Sequence, residues 1–360
     1  MSATCNRFYS FVSQSKEMEV ASETNFAAAV SLARAALDDP EESKSDATLL
    51  TVMLLSMFEN LSSVKAYRSP LKTHFIGLAQ LLQHRGPDLL HSGISLFCLH
   101  QFYYRLAAVV LGGDLEAMRE LLEISKSIRP PCDMHPTNTL ASFTTGLAYL
   151  RLRLEAINLC SGFDVQKITL LMSLALQLEG DLSRWVNDVP ASCQPRKKVL
   201  DIFLYYPDWE DKYPSLAVAQ DWNHYRYMRI MTNIVISRCA ALLRLYSKVA
   251  AADQACEQMV DEVLASVNFY IGPLKKYEND EDEDDDDDYH PHRMSQDRVV
   301  DKKYALGALG AMLLLPKLRW ILQAEPSLRP KQRACLESRV KTMLKFYRAH
   351  GVENVDMQDQ

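Results

Sequence analysis

Apolar side chains in this chain recur at helical spacing almost from end to end, and few glycines interrupt them. Leu50, Met53, Leu54, Met57, Phe58 and Leu61 sit at i, i+3, i+4, i+7 positions, one stripe of a 3.6-residue helix. Ser45 or Asp46 is placed to cap that helix. Leu71, Phe75, Leu78, Leu81 and Leu82 repeat the pattern after Pro70, and Gly86-Pro87 stops it. The same spacing predicts helices over Leu89 to Leu111, closed by Gly112-Gly113, and over Leu115 to Ser127, capped by Asp114. Others are expected from Asn138 to Cys160, Asp164 to Val186, Leu216 to Val249, Asp253 to Tyr270, Val299 to Gln323 and Lys331 to His350.

Twelve glycines in 360 residues is well below the usual share of about 7%. A sheet protein needs glycine-rich turns every few residues, so the expected fold is all-α. No fixed-period repeat occurs, which leaves an irregular multi-helix array of antiparallel helices with no sheet. Residues 1–15 are expected to be a flexible N-terminus, 16–275 a helical domain, 299–350 further helices packing on it, and 351–360 a tail. Between Pro190 and Pro214, four prolines and the aromatics Phe203, Tyr205, Tyr206, Trp209 and Tyr213 suggest a long packed connection.

Residues 276–298 break the pattern. Between 278 and 288 lie ten acidic side chains and no basic one, including Asp280, Glu281, Asp282, Glu283, Asp284, Asp285, Asp286, Asp287 and Asp288. Like charges repel and nothing apolar can be buried, so a disordered acidic loop is expected. Removing these ten from the 46 acidic residues leaves 36 against 40 basic ones. Neither that balance nor the formal charge of -6 marks a nucleic-acid surface, which needs clustered Lys and Arg. The run is a candidate interaction segment, flanked by Phe269, Tyr270, Tyr277 and Tyr289; a solvated insertion is the plainer alternative.

Motifs for catalysis are missing. There is no Gly-x-Gly-x-x-Gly, no Walker loop and no His-Glu-x-x-His. The eight cysteines are scattered, without a Cys-x-x-Cys, as suits free thiols in a reducing compartment rather than a disulfide or zinc framework. Cys98 and His100, two apart on a helix, face different ways: a core cysteine and a partly exposed histidine. An Asp run is also found in class I terpene synthases, but this one lies outside any helical pattern and lacks the second metal motif downstream. No catalytic, metal or DNA-binding residue and no cofactor is therefore assigned, and the chain reads as non-enzymatic. The first residues, MSATCNRFYSF, lack the features of a signal peptide, and the apolar run Ala305 to Leu315 is too short to cross a bilayer, so no membrane partner is expected.

Five segments in order carry a resemblance. They are FAAAVSLARAALDDP from Phe26, SDATLLTVMLLSMFE from Ser45, and His74-x-x-Gly77-x-x-x-Leu-Leu-x-x-Arg85-Gly86. Leu182-Ser-Arg-Trp185 and Trp222-Asn223-His-Tyr-Arg226-Tyr-Met-Arg229 follow. In this order and spacing they resemble the fungal-specific transcription factor domain, the helical regulatory region of fungal zinc binuclear cluster proteins. The resemblance covers roughly residues 20–345. It implies a nuclear regulator, otherwise cytoplasmic, of metabolic or secondary-metabolite genes. Its implied partners are other transcription regulators or coactivators, a second copy of the chain, and a small-molecule effector.

The chain departs from that family in one respect. Only Cys5 falls in the first ninety residues, so the usual six-cysteine cluster cannot be built from them. Either the sequence starts inside a longer protein or the module has been lost; in both cases no direct nucleic-acid contact is expected. The signature residues also have structural readings. Gly77 allows close helix packing, Arg85-Gly86 makes a helix C-terminus, and Trp185 and Trp222 serve as core aromatics. Arg226 and Arg229 share a helix face and would pair with carboxylates or with a ligand anion. The alternative function is a secondary-metabolism-associated helical enzyme or small-molecule-binding protein.

Overall fold

The computed structural model describes residues 1–13, 15–64, 73–86, 92–128, 136–159, 164–200, 206–271, 302–324 and 327–348. Twelve α-helices account for most of them: α1 Ser2–Ser13, α2 Lys16–Asp38, α3 Asp46–Val64, α4 Thr73–Arg85, α5 Gly93–Gly112 and α6 Leu115–Ser125. After these come α7 Pro136–Leu159, α8 Val165–Asp188, α9 Leu216–Leu242, α10 Tyr246–Ile271, α11 Lys302–Ala324 and α12 Pro330–Arg348. The fold is all-α in the main, as the periodicity requires.

The helix ends follow their local chemistry. Asp114 and Asp164 accept the N–H groups of Ala117 and Lys167, each at 3.0 Å. Gly113, at φ 74°, closes α5 in the left-handed region. Ser45, not Asp46, caps α3, accepting the Thr48 N–H at 3.1 Å.

Three expectations need correction. A two-stranded antiparallel ribbon, β1 Arg196–Val199 with β2 Trp209–Lys212, lies in the stretch read as a connection. Its two central pairs, Lys197 with Asp211 and Lys198 with Glu210, are cross-strand opposite charges, while Arg196 opposes Lys212 at one end and Val199 opposes Trp209 at the other. Alternating apolar residues, the usual sign of a strand, are missing from both segments. Second, Ser2–Ser13 is a helix packed on α2 and α3 rather than a flexible terminus. Thr4 Oγ1 donates to the Leu54 carbonyl at 3.1 Å, and Arg7 reaches Glu19 at 3.2 Å. Third, the span from Leu216 to Val249 is two helices. The turn between them sets Arg244 at φ 59°, a left-handed position filled without glycine.

One continuous core runs from Leu49 to Leu344. Helices α9 and α10 form its centre as an antiparallel hairpin. Helices α7 and α8 pack on α9, α5 on α7, α11 on α10, and α12 on α11. Helix α9 is buried almost all round, from Ala219 to Ala240. Among the described residues α5 is the one helix long and apolar enough to cross a membrane. Its Cys98, Leu99, Phe102, Leu106 and Val110 are core residues. At Gly310, a Cβ would lie 2.0 Å from the Tyr270 carbonyl oxygen, so α11 approaches the end of α10 more closely than any side chain allows.

Candidate functional site

The signature residues fall into two groups, both engaged in holding helices together. In the first, His74 Nδ1 meets Glu59 Oε1 at 2.7 Å, tying α4 to α3. Arg85 meets Asp46 at 2.6 Å, and Ser95 donates to the same carboxylate oxygen at 3.1 Å. Bonds from Ser92 and Arg85 hold the Asp46 carboxyl below its usual range. A Cβ at Gly77 would meet Val52 Cγ1 at 3.8 Å, an ordinary contact, and Gly86 takes φ 71° after α4.

The second group is larger. Trp185, Trp222 and Tyr225 stack and edge against one another across α8 and α9. Arg226 is 1% exposed and meets Asp211 of β2 at 2.6 Å, the Tyr213 hydroxyl at 2.6 Å, Asn223 Oδ1 at 3.0 Å and Glu262 of α10 at 3.2 Å. Burial alone would lower its pKa. The surrounding Tyr213, Asp211 and Glu262 raise it above the ordinary guanidinium value instead. Asn223 continues the network, donating to Ser266 at 2.9 Å. Arg229 pairs with Glu179 on α8 and donates to the Tyr225 hydroxyl at 3.1 Å. Their pairing is with carboxylates of the chain itself, so these arginines have little capacity left for a ligand.

A different cluster has capacity to spare, and none of its members was singled out as a site from sequence. It lies where α5, α9, α10 and α11 meet. Tyr104 donates a short hydrogen bond to Asp221 Oδ1, and His100 Nε2 lies 3.4 Å from the same oxygen. The Tyr104 ring packs at 4.6 Å on both His100 and His224. His224 reaches back to Thr144 Oγ1 of α7 at 3.0 Å. Lys317 Nζ, from α11, sits 5.5 Å from the Tyr227 ring centroid and 6.0 Å from that of Tyr104.

Burial drives the electrostatics of this cluster. It raises Tyr104 well above the ordinary phenol value, with Asp221 adding to the shift, and lowers His224 well below the ordinary imidazole value. Lys317 is pushed down to about 8, against a smaller upward pull from Asp221. Yet His100, Tyr104 and Lys317 each keep some solvent-accessible surface. Tyr104 and Lys317 are thus desolvated and still partly exposed, as side chains at the mouth of a recess would be.

The recess also holds unused hydrogen-bonding atoms. The Tyr227 hydroxyl and His100 Nδ1 are buried without a partner among the described residues. Tyr270 Oη lies near Asn223 without hydrogen-bond geometry. Lys317 has no carboxylate within ion-pair distance among the described residues, because Asp221 is turned to Tyr104 and His100. Such groups cost free energy when left unsatisfied, and a ligand can supply what they lack.

The acidic segment Asp280, Glu281, Asp282, Glu283, Asp284, Asp285, Asp286, Asp287 and Asp288 lies outside the described residues. Of the aromatics read as flanking it, Tyr270 is in the core and Phe269 packs against Tyr213 at 5.1 Å. Cys98 is fully buried, its thiol pushed up to about 12 by desolvation, and His100 is partly exposed, as their spacing suggested. No group of three His, Cys, Asp or Glu side chains suited to a metal ion occurs among the described residues. Comparison with protein-family models, with characterised proteins and with solved structures found no match for this chain.

Proposed function

We propose that this chain is a regulatory module of fungal transcription-factor type that works through protein contacts set by a small effector in the His100–Tyr104–Asp221–Lys317 recess. One observation carries the effector part. Buried polar atoms without a partner occur elsewhere too, but here two of them, the Tyr227 hydroxyl and His100 Nδ1, fall beside a partly exposed ammonium with no carboxylate in ion-pair range among the described residues. The regulatory part rests on the five ordered segments that resemble the fungal domain. Their residues Trp185, Trp222, Asn223, Arg226 and Arg229 form one connected network on α8 and α9, next to the recess residues Asp221 and His224. Movement at the recess is thereby linked to the centre of the fold. An effector shifts output only by its difference in affinity between two states of the module.

The experiment is a tethered reporter. The chain is fused to a heterologous sequence-specific DNA-binding module and expressed in a fungal host. Output should differ at least severalfold from that of the DNA-binding module alone, in either direction. Asp221→Ala should reduce that difference while circular dichroism stays helical. Output equal to the bare module would overturn the proposal.

A second reading has its own support. An Asp–His contact, phenols and a lysine pushed down to about 8 can also transfer protons, as an enzyme site requires. The two readings differ in the ligand's fate. A regulator returns it unchanged, whereas an enzyme returns a product of altered mass.

A further inference from the structure

We infer that the recess binds a small organic carboxylate, its anionic group on Lys317 Nζ and its apolar body beside the partly exposed Tyr104. This inference rests on the effector reading above and specifies the ligand. Charge sets the first constraint. Lys317 brings a cation to a place where four helices meet, and Asp221, the carboxylate near it among the described residues, is engaged by Tyr104 and His100. A desolvated ammonium without an anion is costly, and a bound carboxylate removes that cost.

The kind of anion follows from what surrounds the cation. The recess presents one point charge, with no arginine fork and no helix N-terminus among the residues described for it. Phosphate groups are usually met by several cations or by a row of backbone N–H groups. A single ammonium suits a monoanion. The setting favours a partner with an apolar body, since Lys317 Nζ stands 6.0 Å from the ring centroid of the partly exposed Tyr104. The buried Tyr227 hydroxyl supplies a donor or acceptor for a polar substituent.

Protonation gives a specific signature. Lys317 is faced by Tyr104 of α5 and by Asp221, His224 and Tyr227 of α9, with His100 and Tyr270 as the next neighbours of that set. Tyr104, Tyr227 and Tyr270 are all raised above the ordinary phenol value, and His224 is lowered, so these four keep their charge state between pH 7 and 9.5. Lys317, near 8, loses its proton within that window. Carboxylate affinity should therefore fall about tenfold or more from pH 7 to 9.5. In Lys317→Arg, whose cation does not titrate there, it should stay nearly flat.

The test uses the full chain and three probes: benzoate, its neutral analogue benzamide, and inorganic phosphate, each titrated by calorimetry and by thermal shift. Benzoate is expected to bind at least tenfold more tightly than benzamide or phosphate. Lys317→Met should lose that preference and Lys317→Arg should keep it, with unchanged helical circular dichroism in both. Benzamide binding as well as benzoate, or benzoate affinity surviving Lys317→Met, would overturn the carboxylate assignment and leave the recess a ligand site. Tighter binding of phosphate would overturn it in favour of a phosphorylated ligand. Binding of none of the probes at millimolar concentration would overturn both this inference and the effector reading. Benzoate binding by a chain inactive in the tethered reporter would uphold the assignment and remove only the regulatory claim.

Discussion

Asp211→Asn tests the buried network at its most enclosed point. Asp211 and Arg226 are each about 1% exposed and meet at 2.6 Å. The substitution keeps the shape of the side chain and removes its charge. Breaking a buried ion pair from one side costs roughly 3–5 kcal/mol, because the remaining charge stays desolvated. Glu262 still meets Arg226 at 3.2 Å, so the lower end, about 3 kcal/mol, is expected. With an unfolding entropy of about 2.1 cal/mol/K per residue, a chain of this length unfolds with roughly 0.75 kcal/mol/K. The melting temperature should therefore fall by about 4 °C in a calorimetric scan. Arg226→Met should cost at least as much, since it strands two carboxylates. The double variant should cost clearly less than the sum, with a coupling of about 1.5 kcal/mol or more. A drop under about 1 °C for Asp211→Asn, or strict additivity, would refute the claim that this pair locks the ribbon to α9.

Other consequences are open to equally direct checks. Gly310→Ala should lower the melting temperature by several degrees, because its methyl group would enter the Tyr270 carbonyl; Gly180→Ala, where the Cβ meets nothing within 4 Å, should not. Acidification should weaken the fold through His224. Its folded pKa lies well below 6.5, so below that pH the unfolded chain takes up a proton that the folded chain refuses, and stability falls with pH by up to about 1.4 kcal/mol per unit. Urea unfolding at pH 6.5 and 5.0 should show a smaller loss in His224→Gln than in the wild type. Deleting residues 278–288 should change stability by no more than about 0.5 kcal/mol while altering pull-down partners or reporter output; a large loss of melting temperature would mark the acidic run as structural.

Sequence made the helices legible because their signals are local. Asp114 and Asp164 precede apolar stripes, Gly113 ends one, and these positions hold in the structure. The ribbon was hidden because its strands read RKKV and WEDK, where charge pairing replaces the apolar alternation that marks a strand. The break at residue 244 was hidden for a related reason. Arg244 takes a left-handed φ in the middle of an unbroken helical pattern, and nothing in an arginine announces that conformation.

The site was less legible still. His100, Asp221, Tyr270 and Lys317 come from four helices far apart in the chain, and no spacing rule connects them. A signal did exist at single positions. His100 and Tyr104 are four apart on an apolar helix, Asp221 and His224 are three apart on another, and Lys317 follows a long apolar run. Polar residues at core-facing positions such as these mark either a paired network or a binding site, and only their meeting in space separates the two. Arg226 illustrates the first outcome, since its carboxylates lie 15 and 36 residues away. Lys317 is proposed as an instance of the second.

The central claim is that the recess takes a small effector. It is tested most directly by thermal shift of the full chain against fractions of a fungal metabolite extract. A ligand present at about 100 times its Kd stabilises by roughly 2.7 kcal/mol, or about 3–4 °C at the unfolding entropy used above. At least one fraction should raise the melting temperature of the wild type by that amount and leave Lys317→Met unmoved. Fractions that shift neither protein, or that shift both equally, would contradict it.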